Sequence, residues 1–394
     1  MAELLLTGGR PWGRNERADI HVRDGVIAAI GDGLDVPGAE RIDVAGKLVL
    51  PGLVDAHTHL DKTLFGRDWV PHSAGDTLAD RIGNERRRRG ELGLPDVDAM
   101  VALLETMVVN GTTHVRTHTD IDPEVGTSHV DAVAEAVARL DGRIGVTQVA
   151  FPQHGLLTNP GTAELLEQAL SRGVEAIGGI DPAGVDGDPV RHLDVVFGLA
   201  ERYGAFVDIH LHDGGTLGAW QLGLIADRTT ATGLAGRVAV SHAYALGQID
   251  AGHQDRLAAQ LAAAGVTITT AAVYDFPVPP IRRLVAAGVN VATGHDGIRD
   301  LWGPYGTGDM LDRAHHVAYR SLFRRDDDIE LALRAATHGG AAALGLTGYG
   351  LVEGAGADLV VVEAATPAAA VVTRPTRDVV LKAGRVVARA GTLT

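Results

Sequence analysis

The segment VLPGLVDAHTHLDK, residues 49–62, decides how the rest of the chain is read. A short apolar run ends in the pair His57 and His59, with Lys62 three residues further on. Side chains alternate along a strand, so imidazoles two residues apart lie on one face, where they can share a metal. Working outward, seven more short β-branched or small-apolar runs end in a similar way. They are THVRTHTD ending at Asp120, IGVTQVAFPQ at Gln153, EAIGGID at Asp181, AFVDIHLHD at Asp213, RVAVSHAY at Tyr244, VTITTAAVYD at Asp275 and VNVATGHD at Asp296. Polar groups at the carboxyl ends of many strands are what a catalytic parallel barrel requires.

Between these runs lie segments of helical period. In Pro95 to Asn110, Val97, Met100, Val101, Leu104 and Val108 recur at helical spacing and Asn110-Gly111 supplies a stop. Others fall near 127–140, 160–172, 190–202, 250–264 and 279–287. Eight strands alternating with helices predict an α/β fold, a (β/α)8 TIM barrel over residues 51–350. No G-x-G-x-x-G turn follows the first strand, which argues against a doubly wound open sheet. Residues 1–50 and 351–394 instead carry short alternating runs with turn glycines, and predict one small β-sandwich domain built from both termini.

Composition narrows the chemistry. The 394 residues include 35 Lys plus Arg against 50 Asp plus Glu, a net charge of −15, which argues against a nucleic-acid partner. No run of eighteen apolar residues is long enough for a bilayer, and the start MAELLLTGG has no basic n-region, so the expectation is a cytoplasmic protein without a membrane partner. With no cysteine, any metal must be held by His, Asp or Glu. The candidates beside His57 and His59 are His210, His242 and Asp296, each at the end of a predicted strand. Buried imidazoles and carboxylates need partners, so their convergence implies a polar site organised by a cation.

Three stretches carry a family resemblance: D-G-x-I-x-x-I-G from Asp24 to Gly31, D-A-H-T-H at 55–59, and G-x-x-A-D-L-V-V from Gly354 to Val361. Through them the whole chain resembles the amidohydrolase superfamily of metal-dependent hydrolases. The resemblance implies His57, His59, His210 and Asp296 as metal ligands, with His242 handling a proton or polarising the substrate. Many relatives bridge two metals with a carboxylated lysine, but the only lysines here are Lys47, Lys62 and Lys382. One divalent ion per chain is therefore expected, Zn²⁺ first and Fe²⁺ as the alternative, because His and Asp suit both. Such an ion lowers the pKa of its water from about 15.7 towards about 7, and Asp296 can take the proton.

Within the superfamily, HVRTHTD, VAFPQ, SHA and GHD are similar to the cytosine deaminase group. HTHLDK, GGIDPA, IHLHDGGT and IRDLWGPYGTGDM resemble the N-isopropylammelide isopropylamidohydrolases, which act on triazine rings. This implies hydrolytic removal of an amino or alkylamino group from a nitrogen heterocycle. Cytosine deaminases carry an Asp-Glu pair where this chain has His212 and Asp213, and a second Asp where it has Gly297, which argues against cytosine itself as substrate. His242 then carries the proton relay, assisted by Asp213 or His212. Lys62, Gln153, Asp181, His212 and Trp302 are the expected substrate contacts: a charge for a ring carbonyl, an amide edge, an N–H acceptor and a flat apolar face. The structural alternatives are a salt bridge for Lys62, a strand-end amide for Gln153, a cap before Pro182 for Asp181, and core packing for Trp302.

Other features are read as structural. Arg86 to Arg89, flanked by Glu85 and Glu91, is a solvated helix face or a salt-bridge cluster. His118 and Asp120 form a supporting pair, His315, His316 and His338 lie on helices away from the strand ends, and His154 stands open between substrate contact and structure. Two competing functions are a cyclic amide hydrolase, disfavoured by the missing lysine bridge, and a catalytically silent scaffold barrel, disfavoured because all the ligands are present. A homo-oligomer is compatible with a barrel of this kind.

Overall fold

The computed structural model describes residues 3–394. Eight parallel strands follow one another in sequence order around a barrel: Leu53–Thr58, Thr112–Asp120, Gly145–Phe151, Ala176–Ile180, Phe206–Leu211, Val238–His242, Val266–Thr270 and Val291–Thr293. The ring closes between the last strand and the first, where Asp296 N donates to His57 O at 2.9 Å and Thr58 Oγ1 donates to Asp296 O at 3.0 Å. Every residue of the first, fourth, sixth, seventh and eighth strands is buried. Parallel strands covered on both faces are largely apolar or β-branched, which is why they stand out as short runs, with their buried polar residues gathered toward the carboxyl ends.

The helices between them start where the sequence offers a cap. Asp96, Asp188 and Asp250 accept from the backbone N–H of Ala99, Arg191 and His253 at the heads of Val97–Val109, Pro189–Tyr203 and Ala251–Ala264. The helix Gly215–Thr232 is absent from the sequence reading. It contains Gly218 and Gly223, and its apolar residues spread around it, with Leu217 and Trp220 exposed, so it has no clean apolar stripe.

The strand ladders stop before the residues read as their ends at all but the second strand. The largest difference is at the seventh, which ends at Thr270 rather than Asp275. The backbone turns out of the ladder at or just past the strand ends: Asp181, His242 and Asp296 have φ of 34°, 71° and 65°, and after the seventh strand Ala272 and Tyr274 have φ of 50° and 48°. These left-handed conformations end the ladder hydrogen bonding at the barrel mouth. For residues other than glycine this costs roughly 1–3 kcal/mol each and is found where function demands it.

The two ends of the chain share a second, nine-stranded sheet. Its seam is the antiparallel pairing of Leu48–Pro51 with Leu359–Val362, so the strand that enters the barrel is tied to the strand that follows it. The C-terminal segment also contains a helix, Pro367–Thr373, where only strands were expected. Its Pro367 and the Thr366 cap open the helix, and three alanines sustain it.

The barrel seam depends on Gly294. A Cβ there would lie 2.4 Å from both His57 N and His57 O, backbone atoms that have no room to move. Gly294→Ala should force the first and eighth strands apart at the point that carries His57 and Asp296. The expected cost is at least about 1–3 kcal/mol, read as a lower urea midpoint, together with weakened metal binding. A variant with wild-type midpoint and metal affinity would contradict this account of the seam.

Candidate metal centre and active site

At the carboxyl end of the barrel, His57, His210, His242 and Asp296 each offer one ligand atom, all within 4.8 Å of one another. His59 joins them, its Nε2 lying 3.3 Å from Asp296 Oδ1 and 3.3 Å from His210 Nε2. The five groups expected from the strand ends are therefore brought to one point, with His242 as near as the others. Burial, reinforced by neighbouring imidazoles, pushes the pKa of His210 and His242 well below the ordinary value, and burial with Lys62 lowers that of His59. Burial opposes the charge of Asp296, but His242, His57 and His59 hold its carboxyl far below the usual range. Neutral imidazoles facing an ionised carboxylate are the donor set of a divalent ion. His57 Nε2 and His242 Nε2 are buried without a hydrogen-bond partner, which fits the same group.

The ligand cluster rests on polar supports inside the barrel. His57 Nδ1 lies 2.8 Å from Ser241 Oγ, which donates to Asp208 Oδ1 at 2.8 Å. Asp208 Oδ2 in turn pairs with the fully buried Arg116 at 3.3 Å. This chain fixes the His57 ring so that Nε2 faces the cluster. His118 also approaches His57 and Asp208. The Arg116 charge already answers Asp208 on that side, which disfavours a second cation there. Asp55, in the motif DAHTH, accepts from the backbone N–H of His57 and His295 through Oδ1 and meets His295 Nδ1 at 2.7 Å through Oδ2. It ties the first strand to the eighth, a role that its neighbours in the motif obscured.

Above the cluster opens a cavity of about 820 Å³, lined by His59, Lys62, Gln153, His210, His212, Asp296, Asp300 and Trp302 among others. Lys62 Nζ points to Gln153 Oε1 at 2.5 Å, Asp120 Oδ1 at 3.0 Å and Glu85 Oε2 at 3.4 Å. Burial opposes its charge, but Asp120, Glu85 and Asp61 raise its pKa above the lysine norm. Glu85 also accepts from Trp302 Nε1, and thus sets both the lysine and the indole of the wall. Of the two readings of this charged run, a solvated helix face or a salt-bridge cluster, Glu85 fits the second: it is buried on the inner side of the helix Leu78–Arg88, paired with Lys62. Nearby, Arg89 is buried against Asp122 and Glu124, so the arginine run is a salt-bridge cluster.

His212 and Asp213 take different positions. Asp181 Oδ2 meets His212 Nδ1 at 2.6 Å, and Asp181 Oδ1 accepts from the backbone N–H of His212 and Asp213. Burial works against an imidazolium, but Asp181 raises the pKa of His212. His212 lines the cavity and stacks on His242 with centroids 4.5 Å apart. Asp181, expected to accept a ring N–H, instead has both oxygens hydrogen-bonded to His212 and Asp213 and does not line the cavity. Asp213 is turned away, its Oδ2 accepting from Gly184 N and Gln221 Nε2 at 2.9 Å each.

The remaining readings resolve similarly. His118 and Asp120 do not pair, since Asp120 serves Lys62. His154 is bound to Asp122 at 2.8 Å, which holds it in a structural role. His315 and His316 line the cavity from the helix Met310–Arg320, whose approach to the mouth no local pattern announced. Asp181→Asn keeps the two backbone hydrogen bonds but loses the charge facing His212. It should lower kcat about 10- to 100-fold at unchanged metal content, whereas Asp213→Asn should change kcat far less. Equal effects of the two substitutions would contradict these assignments.

Comparison with known proteins agrees with this architecture. The model of the amidohydrolase family matches residues 96–388. The chain is 32% identical over 358 residues to N-isopropylammelide isopropyl amidohydrolase of Pseudomonas sp. (strain ADP), covering 89% of this chain and 88% of that protein. Among solved structures, N-isopropylammelide isopropylaminohydrolase from Burkholderia multivorans ATCC 17616 is similar with TM-score 0.96 and 45% identity over 100% of both chains. 5-Methylcytosine deaminase from Klebsiella pneumoniae, liganded with 5-fluorocytosine, has TM-score 0.86 and 26% identity over 98% of this chain and 97% of that one. Among the described residues no helix is long and apolar enough to cross a membrane. The chain belongs to the amidohydrolase family and is a hydrolase of C–N bonds other than peptide bonds.

Proposed function

We propose that the protein is a mononuclear metal-dependent aminohydrolase that replaces an amino or alkylamino group on a ring carbon of a triazine- or pyrimidine-like heterocycle by hydroxyl. The observation that carries this reading is the convergence of His57, His59, His210 and Asp296 at the floor of a cavity with an indole wall at Trp302. The named relatives, acting on N-isopropylammelide and 5-methylcytosine, support a planar nitrogen ring as substrate. His57, His59, His210 and Asp296 would hold the ion, Zn²⁺ in first place with Fe²⁺ as the alternative. When bound, it supplies Lewis acidity that brings the pKa of water to about 7.

The chain's own groups then divide the work. In the overall exchange the water oxygen bonds to the ring carbon, the C–N bond breaks, and one water proton ends on the departing nitrogen. The Asp296 carboxylate accepts that proton, and His242, beside it, passes it on through Nε2, which has no protein partner. His212, held through Nδ1 by Asp181, presents its other ring nitrogen from the cavity wall and steadies His242 by stacking. Trp302 offers its face to the ring, while Lys62 and Gln153 form the polar edge of the same wall. Any substrate contact by Lys62 must replace one of its present acceptors, and Glu85 at 3.4 Å is the longest of the three.

Mass-spectrometric turnover of the zinc-reconstituted protein against amino-substituted triazines, pyrimidines, pterins and purines tests this directly. Exchange of an amine for a hydroxyl on one ring class is expected, with kcat reduced about 10²- to 10⁴-fold in His242→Ala at unchanged metal content. Opening of cyclic amides with no amine exchange would overturn the reading.

A further inference from the structure

Asp300 belongs to the cavity wall yet has no part in the steps above. Its residue is 2% exposed, and it lines the cavity close to the reaction centre. Oδ1 is fully used, accepting from Trp302 N at 2.8 Å and Gly303 N at 2.9 Å. Its backbone is held as well, the N–H donating to Gly303 O at 3.1 Å and the carbonyl oxygen lying 2.7 Å from His72 Nε2. Oδ2, by contrast, has no hydrogen-bond partner among the described residues. It occupies the space beside Gly297, the residue that follows Asp296: a Cβ on Gly297 would lie 2.0 Å from Oδ2 and 2.8 Å from Cγ. The absent side chain at 297 is therefore what admits the Asp300 carboxyl to the floor of the cavity.

We infer that Asp300 is a specificity-determining residue of this site, its Oδ2 accepting a hydrogen bond from a ring N–H of the substrate. The ring it selects is accordingly one that carries at least one unsubstituted N–H. This rests on the heterocycle reading proposed above. The turn at 300–303 fixes the carboxyl before substrate arrives, so little conformational freedom is lost on binding. Burial raises the pKa of Asp300 to about 7, against the backbone N–H groups of Gly303 and Trp302, as expected for a carboxyl that lacks a neutralising partner of its own. A site that leaves such an acceptor unpaired rejects a ring that cannot donate to it.

Calorimetric binding to the zinc-loaded protein at pH 8 tests the inference without requiring turnover. The probes are uracil, which presents N–H beside C=O, and 1,3-dimethyluracil, which presents no N–H. Asp300→Asn keeps Oδ1 for the turn but places an NH₂ where Oδ2 stood. It should weaken uracil about 10- to 100-fold and leave dimethyluracil unchanged. Gly297→Ala, which displaces the carboxyl without altering it, should reproduce the same selective loss. Equal losses for the two rings in both variants, or no loss in either, would overturn the role of Asp300 while the aminohydrolase reading stands. Wild-type protein that binds dimethyluracil as tightly as uracil would overturn the role of Asp300, again while the aminohydrolase reading stands.

Discussion

Four buried imidazoles, His57, His59, His210 and His242, and the partly exposed carboxylate of Asp296 crowd into one point at the carboxyl end of the barrel, and the rest of the molecule is arranged to tolerate this. Imidazoles and a carboxylate removed from water are unfavourable unless each finds a partner. A divalent cation supplies that partner for several at once, and a rigid barrel holds the donors in place before it binds. The supports follow from the same need. Ser241, Asp208 and Arg116 lock His57 from below, Asp55 joins the first strand to the eighth, and Gly294 lets those strands approach closely enough for His57 and Asp296 to meet.

The wall above the cluster obeys a second electrostatic constraint. A lysine buried in a cavity persists as a charge only when carboxylates surround it, and Lys62 has Asp120 and Glu85 within 3.4 Å. Glu85 also fixes the Trp302 indole, whose backbone N–H fixes Asp300 in turn. One run of contacts therefore connects Gln153, Lys62, Glu85, Trp302 and Asp300 along a single face. A substitution at any of them reaches the others, which makes this face the natural determinant of substrate shape. On the opposite side, Asp181 gives His212 a fixed orientation and leaves Asp213 to brace the loop.

Much of this was legible in the sequence because barrel geometry puts chemistry where strands end. His57, His59, His210, His242 and Asp296 all terminate apolar runs, and alternation along a strand is a local property. What stayed hidden depends on direction or on distant packing. Asp181 and Asp213 stand at strand ends like the others, but a left-handed φ at Asp181 turns its carboxyl under the loop and towards His212. Glu85 sits in a charged run that reads as either a solvated face or a salt-bridge cluster, and only the fold of its helix against Lys62 buries it. Asp300 resembles an ordinary turn residue in I-R-D-L-W until the empty side of Gly297 is seen beside it. The long helix Gly215–Thr232 lacked a stripe because both of its faces carry apolar residues.

The central claim is that a single cation organises this cluster. Anomalous diffraction at the zinc absorption edge, from crystals of the zinc-loaded protein, tests it most directly. The account predicts one ion per chain, about 2.0–2.2 Å from imidazole nitrogens of His57, His59 and His210 and from the Asp296 carboxylate. Two ions, or one ion held by His118 and Asp208 instead, would contradict it.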